Sequence, residues 1–210
     1  MSTPARTMVT EQLEPHGVTD ERVLRVMESV PREEFVPEWQ RRHAYEDRAL
    51  AIGCGQTISQ PLIVALMTQA VNPQPGDVAL EIGAGSGYQA AVLSRLCKRV
   101  ITMEREPVLA AGAAATLSRL GYDNVEVEHG DGSLGWPASA PYDIVLVACA
   151  AADLPPALVD ELADGGRLVI PIAVTSEGPQ DLRLYRRLGT SVGYESLFPV
   201  LFVPLRPGEI

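Results

Sequence analysis

The sequence predicts an α/β fold, a doubly wound and mostly parallel sheet with helices on both of its faces. Short apolar segments alternate with helical segments between residues 78 and 172, which is the pattern of parallel strands joined by crossover helices. A glycine-rich turn follows the first of these strands, at the sheet edge where such folds bind ligands. Apolar residues make up 46% of the 210 residues, which is enough to form a substantial core.

The composition argues against several classes of protein. The net charge of −10 is the opposite of the basic footprint of a nucleic-acid binder. Cys54, Cys97 and Cys149 form no CxxC pair, and the histidines show no zinc spacing, so no metal site is expected. The first residues lack the apolar stretch of a signal peptide, and no apolar run reaches the length of a membrane span. We therefore expect a cytoplasmic protein without a nucleic-acid or membrane partner, and with the free thiols of a reducing compartment.

The region before the sheet, residues 1–72, is predicted to be largely helical. In residues 20–30 the apolar side chains recur at helical spacing, with Thr19 or Asp20 as the N-cap and Pro31 ending the helix.

A second helix is expected over residues 62–71, with Pro61 well placed near its first turn. The stretch before it, GCGQTISQP, is rich in glycine and polar residues and carries no pattern of a helix or strand.

The central region, residues 73–172, contains five predicted strands and three predicted helices. The strands are VALEI (78–82), RVITME (99–104), VEVEHGDG (125–132), YDIVLV (142–147) and RLVIPI (167–172). The helices are expected at residues 88–97, 107–120 and 154–163. In the last region, residues 173–210, two β segments at 181–188 and 197–205 have no helix between them, which predicts an antiparallel hairpin at the sheet edge. The three regions are expected to form one domain, residues 1–210.

The turn after the first strand carries Gly83, Gly85 and Gly87. Glycine in such a turn permits a tight bend and a close approach of a ligand, although a turn without a ligand is the simpler alternative. A dinucleotide fingerprint would place its third glycine at position 88, where this chain has Tyr88. Glu81 precedes the turn, and an acid suits a cationic ligand better than an anionic pyrophosphate. The pattern resembles the first motif of class I methyltransferases, whose cofactor, S-adenosyl-L-methionine, carries a sulfonium and an ammonium.

Two further acids follow the next strands. Glu104 ends the second strand, where a carboxylate can accept both ribose hydroxyls. Asp131 and Gly132 close the third strand, where adenine is expected and Asp131 can accept a hydrogen bond from its amine. A solvated acid at a strand end remains the alternative for each position taken alone. Together the three strand ends predict a cofactor site made of Glu81, Gly83, Gly85, Gly87, Glu104, Asp131 and Gly132.

Several longer motifs resemble the protein-L-isoaspartate O-methyltransferases over residues 10–206. The motifs are VPREEFVP, GQTISQP, LEIGAGSGYQAAVL, GYDNVEVEHGDGSLGW and FPVLFVPL. The resemblance implies a seven-stranded, Rossmann-like class I methyltransferase sheet with an N-terminal helical extension and C-terminal antiparallel edge strands. It also implies a monomer that methylates the carboxylate of L-isoaspartyl residues, and more weakly D-aspartyl residues, in damaged proteins. The ester then collapses to a succinimide that hydrolyses partly to aspartate.

The resemblance also implies roles for residues before the sheet. Ser59 corresponds to the serine beside the methyl donor and the accepting carboxylate, and Thr57 and Ile58 would lie next to the cofactor. A carboxylate is already ionised at neutral pH and needs no general base, so Ser59 is expected to orient it by a hydrogen bond. An N-cap for the following helix is the alternative role of Ser59.

The peptide groove of the family implies substrate contacts from the segment before GQTIS, which is Ala49, Leu50, Ala51 and Ile52. Many family members carry prolines near positions 49 and 51 and histidine at position 54, so this chain is expected to have a less rigid loop. Cys54 is expected to be a small, half-buried thiol without a catalytic role.

Other functions are weaker alternatives. An aspartate methyltransferase that tailors ribosomal peptides would be expected to carry a C-terminal extension, and a small-molecule methyltransferase would have a lid in place of GQTISQP. A nicotinamide-dependent dehydrogenase would need a small residue in place of Tyr88 and an acid–base group in residues 148–152. A non-catalytic binding module is opposed by the intact set Glu81, Glu104 and Asp131.

Overall fold

A computed structural model describes residues 3–174 and 178–208 of the chain. The remaining residues of the predicted regions 1–72 and 173–210, namely 1–2, 175–177 and 209–210, lie outside the described residues. The described strands are β1 Leu50–Gly53, β2 Gln56–Ile58, β3 Val78–Ile82, β4 Arg99–Glu104, β5 Val125–His129, β6 Tyr142–Val147, β7 Leu162–Ile172, β8 Gln180–Leu188 and β9 Ser191–Val200. The described α-helices are α1 Pro4–Met8, α2 Glu21–Ser29, α3 Pro61–Val71, α4 Tyr88–Ser94, α5 Pro107–Arg119 and α6 Pro156–Asp160.

Seven strands form one mixed sheet in the order β5-β4-β3-β6-β7-β8-β9. The first five strands in this order are parallel, and β8 and β9 add antiparallel neighbours at one edge. The strand order changes direction between β3 and β6, and this is where a doubly wound sheet opens a crevice beyond its strand ends. The predicted fold class and the predicted edge hairpin are confirmed.

Two apolar clusters cover the two faces of the sheet. Ala79 and Ile144 belong to the larger cluster, which includes side chains of α2, α3, α4 and α5. Their neighbours Leu80 and Val145 belong to the smaller cluster, which includes α6. This alternation follows from the two-residue period of a strand, and it explains why strands buried on both faces read as continuous apolar runs.

The region before the sheet is helical, as predicted. The α2 helix begins after Asp20, whose carboxylate accepts the Arg22 amide at 2.8 Å, so Asp20 and not Thr19 is the N-cap. Pro61 occupies the first turn of α3, as expected. The short helix α1 and the 3₁₀ segments Arg32–Phe35 and Glu38–His43 were not predicted.

The hairpin of β1 and β2 is the main element missing from the prediction. Its turn needs positive φ angles, which are 103° at Gly53, 51° at Cys54 and 70° at Gly55. Strands of four and three residues are too short for an alternation pattern to identify them. The glycine-rich stretch is therefore an ordered turn between two strands.

Several boundaries differ from the prediction. The α4 helix ends at Ser94 because the Leu96 amide bonds to Leu93, three residues back, which tightens the last turn. The β7 strand begins at Leu162, earlier than expected, and includes an irregular register with β6. The β9 strand spans Ser191–Val200 and not 197–205, because the chain after Val200 leaves the sheet.

A partly buried ion pair joins the sheet to the turn before β3. Arg167 donates to Asp77 at 2.6 Å, and the two side chains are only 13% and 12% exposed. Arg167 also donates to the Asn72 carbonyl at 2.9 Å. The pair lies at the amino ends of the parallel strands, away from the crevice.

Replacing this arginine, Arg167→Met, is expected to lower the free energy of unfolding by about 3 kcal/mol, because Asp77 keeps a buried charge without its cation. The matched control is Arg186→Met, which breaks the exposed pair with Glu195 (51% and 58% exposed) and should cost roughly 0.5 kcal/mol or less. Urea denaturation of both variants measures the difference. Equal losses would contradict the assignment of Arg167 as a structural anchor.

Candidate active site

A cleft of about 630 Å³, including its open mouth, lies at the carboxyl ends of the parallel strands. Its walls come from four successive strand ends: Gly83 and Gly85 after β3, Glu104 at the end of β4, Gly132 after β5 and Ala148 after β6. Parallel strands end at the same edge, so residues far apart in sequence meet here.

The glycine turn has a backbone that other residues adopt only with strain. The φ angles of Gly83, Gly85 and Gly87 are 93°, 52° and 87°. A Cβ on Gly85 would lie 3.2 Å from the Ile52 side chain, so the turn also packs closely against β1. The spacing of the three glycines is therefore explained by turn geometry and by the space that the turn leaves open.

The carboxylate of Glu104 is fixed by two backbone amides. One oxygen accepts the Gly85 N–H at 2.7 Å and the other accepts the Glu106 N–H at 2.9 Å. Each oxygen of an ionised carboxylate has a further lone pair. Glu104 can therefore accept two more hydrogen bonds at the cleft wall, which suits the two hydroxyls of a ribose.

Glu81 does not line the cleft, contrary to the expectation of a direct cofactor contact. Its side chain is fully buried within β3, and Ile82 is the neighbour that lines the cleft, since successive side chains of a strand point to opposite faces. The Thr102 hydroxyl donates to one carboxylate oxygen at 2.6 Å, and the other oxygen has no partner among the described residues. Burial, together with the charge of Glu104, raises the pKa of Glu81 to about 8.

Asp131 lies behind the cleft wall. One carboxylate oxygen accepts the Ser133 amide at 2.9 Å and hydroxyl at 2.7 Å, and the other accepts the Gly208 amide at 2.7 Å. Burial opposes ionisation, but these hydrogen bonds and the charge of Arg105 hold the pKa of Asp131 below its usual range. Gly132 beside it is on the wall, and a Cβ there would lie 2.4 Å from Ile82.

The C-terminal segment, residues 201–208, crosses the cleft and supplies part of its wall. The Ala150 amide donates to the Val203 carbonyl at 2.8 Å, and the Leu205 amide donates to the Ala150 carbonyl at 2.7 Å. Arg105 donates to the Arg206 carbonyl. Sequence reasoning missed this contribution, because FPVLFVPL predicted a strand and nothing in its periodicity located it over the cleft.

A second cavity of about 920 Å³, including its mouth, adjoins the first and is called the acceptor groove here. Its described lining residues, none of which is charged, are Ala49, Thr57, Ser59, Gln60, Ile63, Ala148, Pro179, Pro199, Val200, Leu201, Phe202 and Val203. Thr57, Ala148 and Val203 line both cavities. The two cavities therefore meet, and a group bound in one can reach a group bound in the other.

Ser59 lies in the acceptor groove and is half-buried. It does not cap α3, because Gln60 is the N-cap residue and the Leu62 amide donates to Asp47 at 3.1 Å. Within residues 3–174 and 178–208 the Ser59 hydroxyl makes no hydrogen bond. The hydroxyl is therefore available to a ligand.

The other expected site residues divide between the cavity walls and the interior. Thr57, Gly83, Gly85, Glu104 and Gly132 line the first cleft, and Ala49 and Ser59 line the acceptor groove. Their expected roles toward a cofactor or substrate stay predictions. Besides Glu81 and Asp131, five expected site residues line neither cavity. These are Ile58 and Leu50, which are buried, Gly87, which packs against α5, Ile52, which contacts the glycine turn, and Ala51, which is exposed.

Cys54 is exposed at the tip of the β1–β2 hairpin, so the expected half-burial was wrong. The described part of the chain has no group of three or more His, Cys, Asp or Glu residues that could hold a metal ion. None of the helices within residues 3–174 and 178–208 combines the length and the apolar character needed to cross a bilayer.

The fold and the cleft define a class I S-adenosyl-L-methionine-dependent methyltransferase. The glycine turn, the carboxylate of Glu104 and the apolar floor of Ile82 and Met103 fit a cofactor that has a ribose diol and a cationic sulfonium.

Comparison with known proteins identifies the family. The profile of the protein-L-isoaspartate(D-aspartate) O-methyltransferase family matches residues 5–209, and the chain belongs to this family. It is 51% identical to protein-L-isoaspartate O-methyltransferase 2 of Nitrosococcus oceani over 89% of this chain and 84% of the relative.

Two solved structures share the fold. A protein-L-isoaspartate O-methyltransferase matches with a TM-score of 0.85 and 30% identity over 92% of this chain, which spans 63% of that protein. A structure from Plasmodium falciparum, described as a protein-L-isoaspartate O-methyltransferase in complex with S-adenosyl-L-homocysteine, matches with a TM-score of 0.82 and 26% identity. That match covers 98% of this chain and 99% of the other.

Glu81→Gln is expected to change the pH dependence of stability. The folded pKa near 8 lies above the ordinary value of 4.5, so the folded protein keeps a proton that the unfolded chain releases. The stability contributed by this group is complete below about pH 4.5 and falls as the pH rises toward 8, by at most about 1.4 kcal/mol per pH unit. The glutamine variant lacks this loss, so its stability relative to wild type should rise with pH. Urea denaturation between about pH 5 and 8 measures the difference, and a constant difference would contradict a protonated Glu81.

Proposed function

We propose that the protein transfers a methyl group from S-adenosyl-L-methionine to the carboxylate of L-isoaspartyl residues in proteins and peptides. The observation that carries this proposal is the shared wall of Thr57, Ala148 and Val203, where the cofactor cleft opens into a groove whose described lining residues are uncharged. Membership of the isoaspartate methyltransferase family supports the same assignment. Methylation then starts repair, since the ester can collapse to a succinimide.

The residues of the cofactor cleft bind S-adenosyl-L-methionine and orient it. Glu104 accepts the ribose hydroxyls, and the glycine turn lets the backbone lie close to the cofactor. Gly132 lines the wall at the adenine end, and Asp131, behind that wall, holds the Ser133 and Gly208 amides in place. The bound cofactor supplies an electrophilic methyl group. Glu81 acts from inside the sheet, where its charge state affects the potential near the cleft without a contact.

The acceptor groove positions a nucleophile that is already charged. A carboxylate is ionised at neutral pH, so no general base is required. The Ser59 hydroxyl donates a hydrogen bond to a carboxylate oxygen and holds it in line with the methyl group, and proximity supplies most of the rate enhancement. Because no described residue of the groove wall carries a charged side chain, we expect binding to depend little on the residues that flank the damaged one. Residues 49–52 of the hairpin would add backbone contacts.

Four other expectations from the sequence stay predictions. These are weaker activity on D-aspartyl residues, a monomeric state, a cytoplasmic location and the treatment of residues 1–210 as one domain. The larger apolar cluster supports the single domain, because it joins Met8 of the N-terminal region, Ala79 of the sheet and Val200 of the last strand.

The direct test is methyl transfer from labelled S-adenosyl-L-methionine to two short peptides that differ only in L-isoaspartate or L-aspartate at one position. We expect base-labile methyl ester on the isoaspartyl peptide alone. Label on neither peptide, with S-adenosyl-L-homocysteine binding intact, would refute the proposed acceptor and favour a peptide-tailoring or small-molecule methyltransferase. Label on both would refute the proposed selectivity.

The site also predicts a division of labour between two residues. Ser59→Ala should lower kcat roughly tenfold or more with cofactor affinity unchanged, since a hydrogen bond to a charged group contributes about 1.5–3 kcal/mol. Glu104→Ala should weaken S-adenosyl-L-homocysteine binding by more than about 100-fold, because two such bonds are lost. Calorimetric titration and turnover assays separate the two effects.

The control for both variants is Glu126→Ala, an exposed carboxylate on β5 that pairs with Arg99 outside the cleft. It should leave affinity and turnover unchanged. Equal losses of affinity in the Ser59 and Glu104 variants would contradict the division.

A further inference from the structure

Arg32 is a buried arginine to which the proposed function assigns no role. It lies in the 3₁₀ segment between α2 and the β1–β2 hairpin, within the motif VPREEFVP, and its exposure is 0%. No carboxylate lies within ion-pair distance of it among residues 3–174 and 178–208. Burying a guanidinium without a counter-charge is costly. An arginine at a position where its burial is so costly indicates that Arg32 has a specific role.

The guanidinium contacts three separate segments of the chain. Its Nε donates to the Ala44 carbonyl at 2.7 Å, and one terminal nitrogen donates to the Ser59 carbonyl at 2.6 Å. Its central carbon lies 4.7 Å from the centre of the Tyr88 ring. Tyr88 opens the helix directly after the glycine turn and is itself buried against Phe35. Arg32 thus joins the glycine turn to the acceptor groove.

We propose that Arg32 is a positioning residue that sets the orientation of Ser59, an inference that rests on the proposed role of Ser59 in binding the acceptor carboxylate. The Ala44 carbonyl and the Tyr88 ring fix the guanidinium, and the guanidinium fixes the Ser59 carbonyl. The peptide plane after Ser59 then has one orientation. The Ser59 hydroxyl, which has no partner among the described residues, is held at the groove by its backbone.

The task requires an arginine in particular. Its planar fork can donate to two carbonyls on different segments while its face rests on an aromatic ring. A lysine has the same charge but a single flexible ammonium, which cannot reproduce both hydrogen bonds and the stacking. Arg32→Lys therefore preserves the positive charge but removes the pair of hydrogen bonds and the stacking on the Tyr88 ring.

The first experiment measures steady-state methylation of the isoaspartyl peptide and S-adenosyl-L-homocysteine affinity for Arg32→Lys. We expect kcat to fall roughly 10- to 100-fold, because small misplacements of a reacting group have effects of this size. Cofactor affinity should change by less than about threefold, within the coupling expected of a residue outside the cleft. The matched control is Arg167→Lys, a partly buried arginine at the opposite end of the sheet, which should lower stability and leave kcat unchanged. Equal kcat in the Arg32 variant and wild type would overturn the proposal.

A double-mutant cycle distinguishes positioning from general support of the fold. If Arg32 acts through Ser59, Arg32→Lys should reduce kcat by less than about twofold in a Ser59→Ala background, because the hydroxyl to be positioned is absent. The same fold-loss in both backgrounds would show a role unrelated to Ser59 and would overturn the proposal.

A third readout does not depend on the acceptor. Amide hydrogen exchange in the peptide covering residues 50–60 should speed up in Arg32→Lys and stay unchanged in Arg167→Lys. If the wild type fails to methylate the isoaspartyl peptide while exchange responds in this way, the proposed function fails and the structural link stands. If the wild type methylates the peptide and exchange does not respond, the positioning proposal fails and the function stands.

Discussion

The carboxylate of Glu104 is the interaction on which the site depends. It accepts one amide from the turn after β3 and another from the turn after β4, so a single side chain holds two β–α loops in register. Gly85, which has a positive φ angle, supplies one of these amides, so the glycine turn and the acid form a single arrangement. A charge-assisted hydrogen bond is stronger than a neutral one, which suits a buried group that must also bind a ligand. The loops, the cleft floor and the ribose site follow from this arrangement.

The proposed reaction needs no acid or base group, but it needs the two reacting groups to be held in a precise relative position. Both reacting groups arrive activated, one as a carboxylate and the other as a sulfonium methyl, so the protein contributes geometry. That geometry is built from buried polar groups without complementary charges. Arg32 lies under the acceptor groove and Glu81 lies within the sheet, and each is costly to bury. The loss of folding stability from burying these two groups indicates that the geometry of the site depends on them.

Much of the fold could be predicted from the sequence, and the reasons for the failures are physical. Strands β3, β4 and β6 were predicted with correct bounds because strands buried on both faces form apolar runs between clear breakers. The residues at the carboxyl ends of these strands were placed at the site by topology alone. Glu81 was assigned to the cleft wrongly, because a motif position does not reveal which face of a strand a side chain takes. The hairpin of β1 and β2 and the segment over the cleft, residues 201–208, take their places through tertiary contacts that local patterns do not encode.

The position of Cys54 makes the enzyme suitable for optical study without further engineering. The thiol is exposed at the tip of the hairpin, whose second strand leads to the acceptor groove. Cys97 and Cys149 are buried, and burial raises the pKa of each thiol to about 12, so neither forms the reactive thiolate near neutral pH. A maleimide fluorophore should therefore attach at a single point of the wild-type chain. Its emission would report movement of the hairpin in real time as peptides enter and leave.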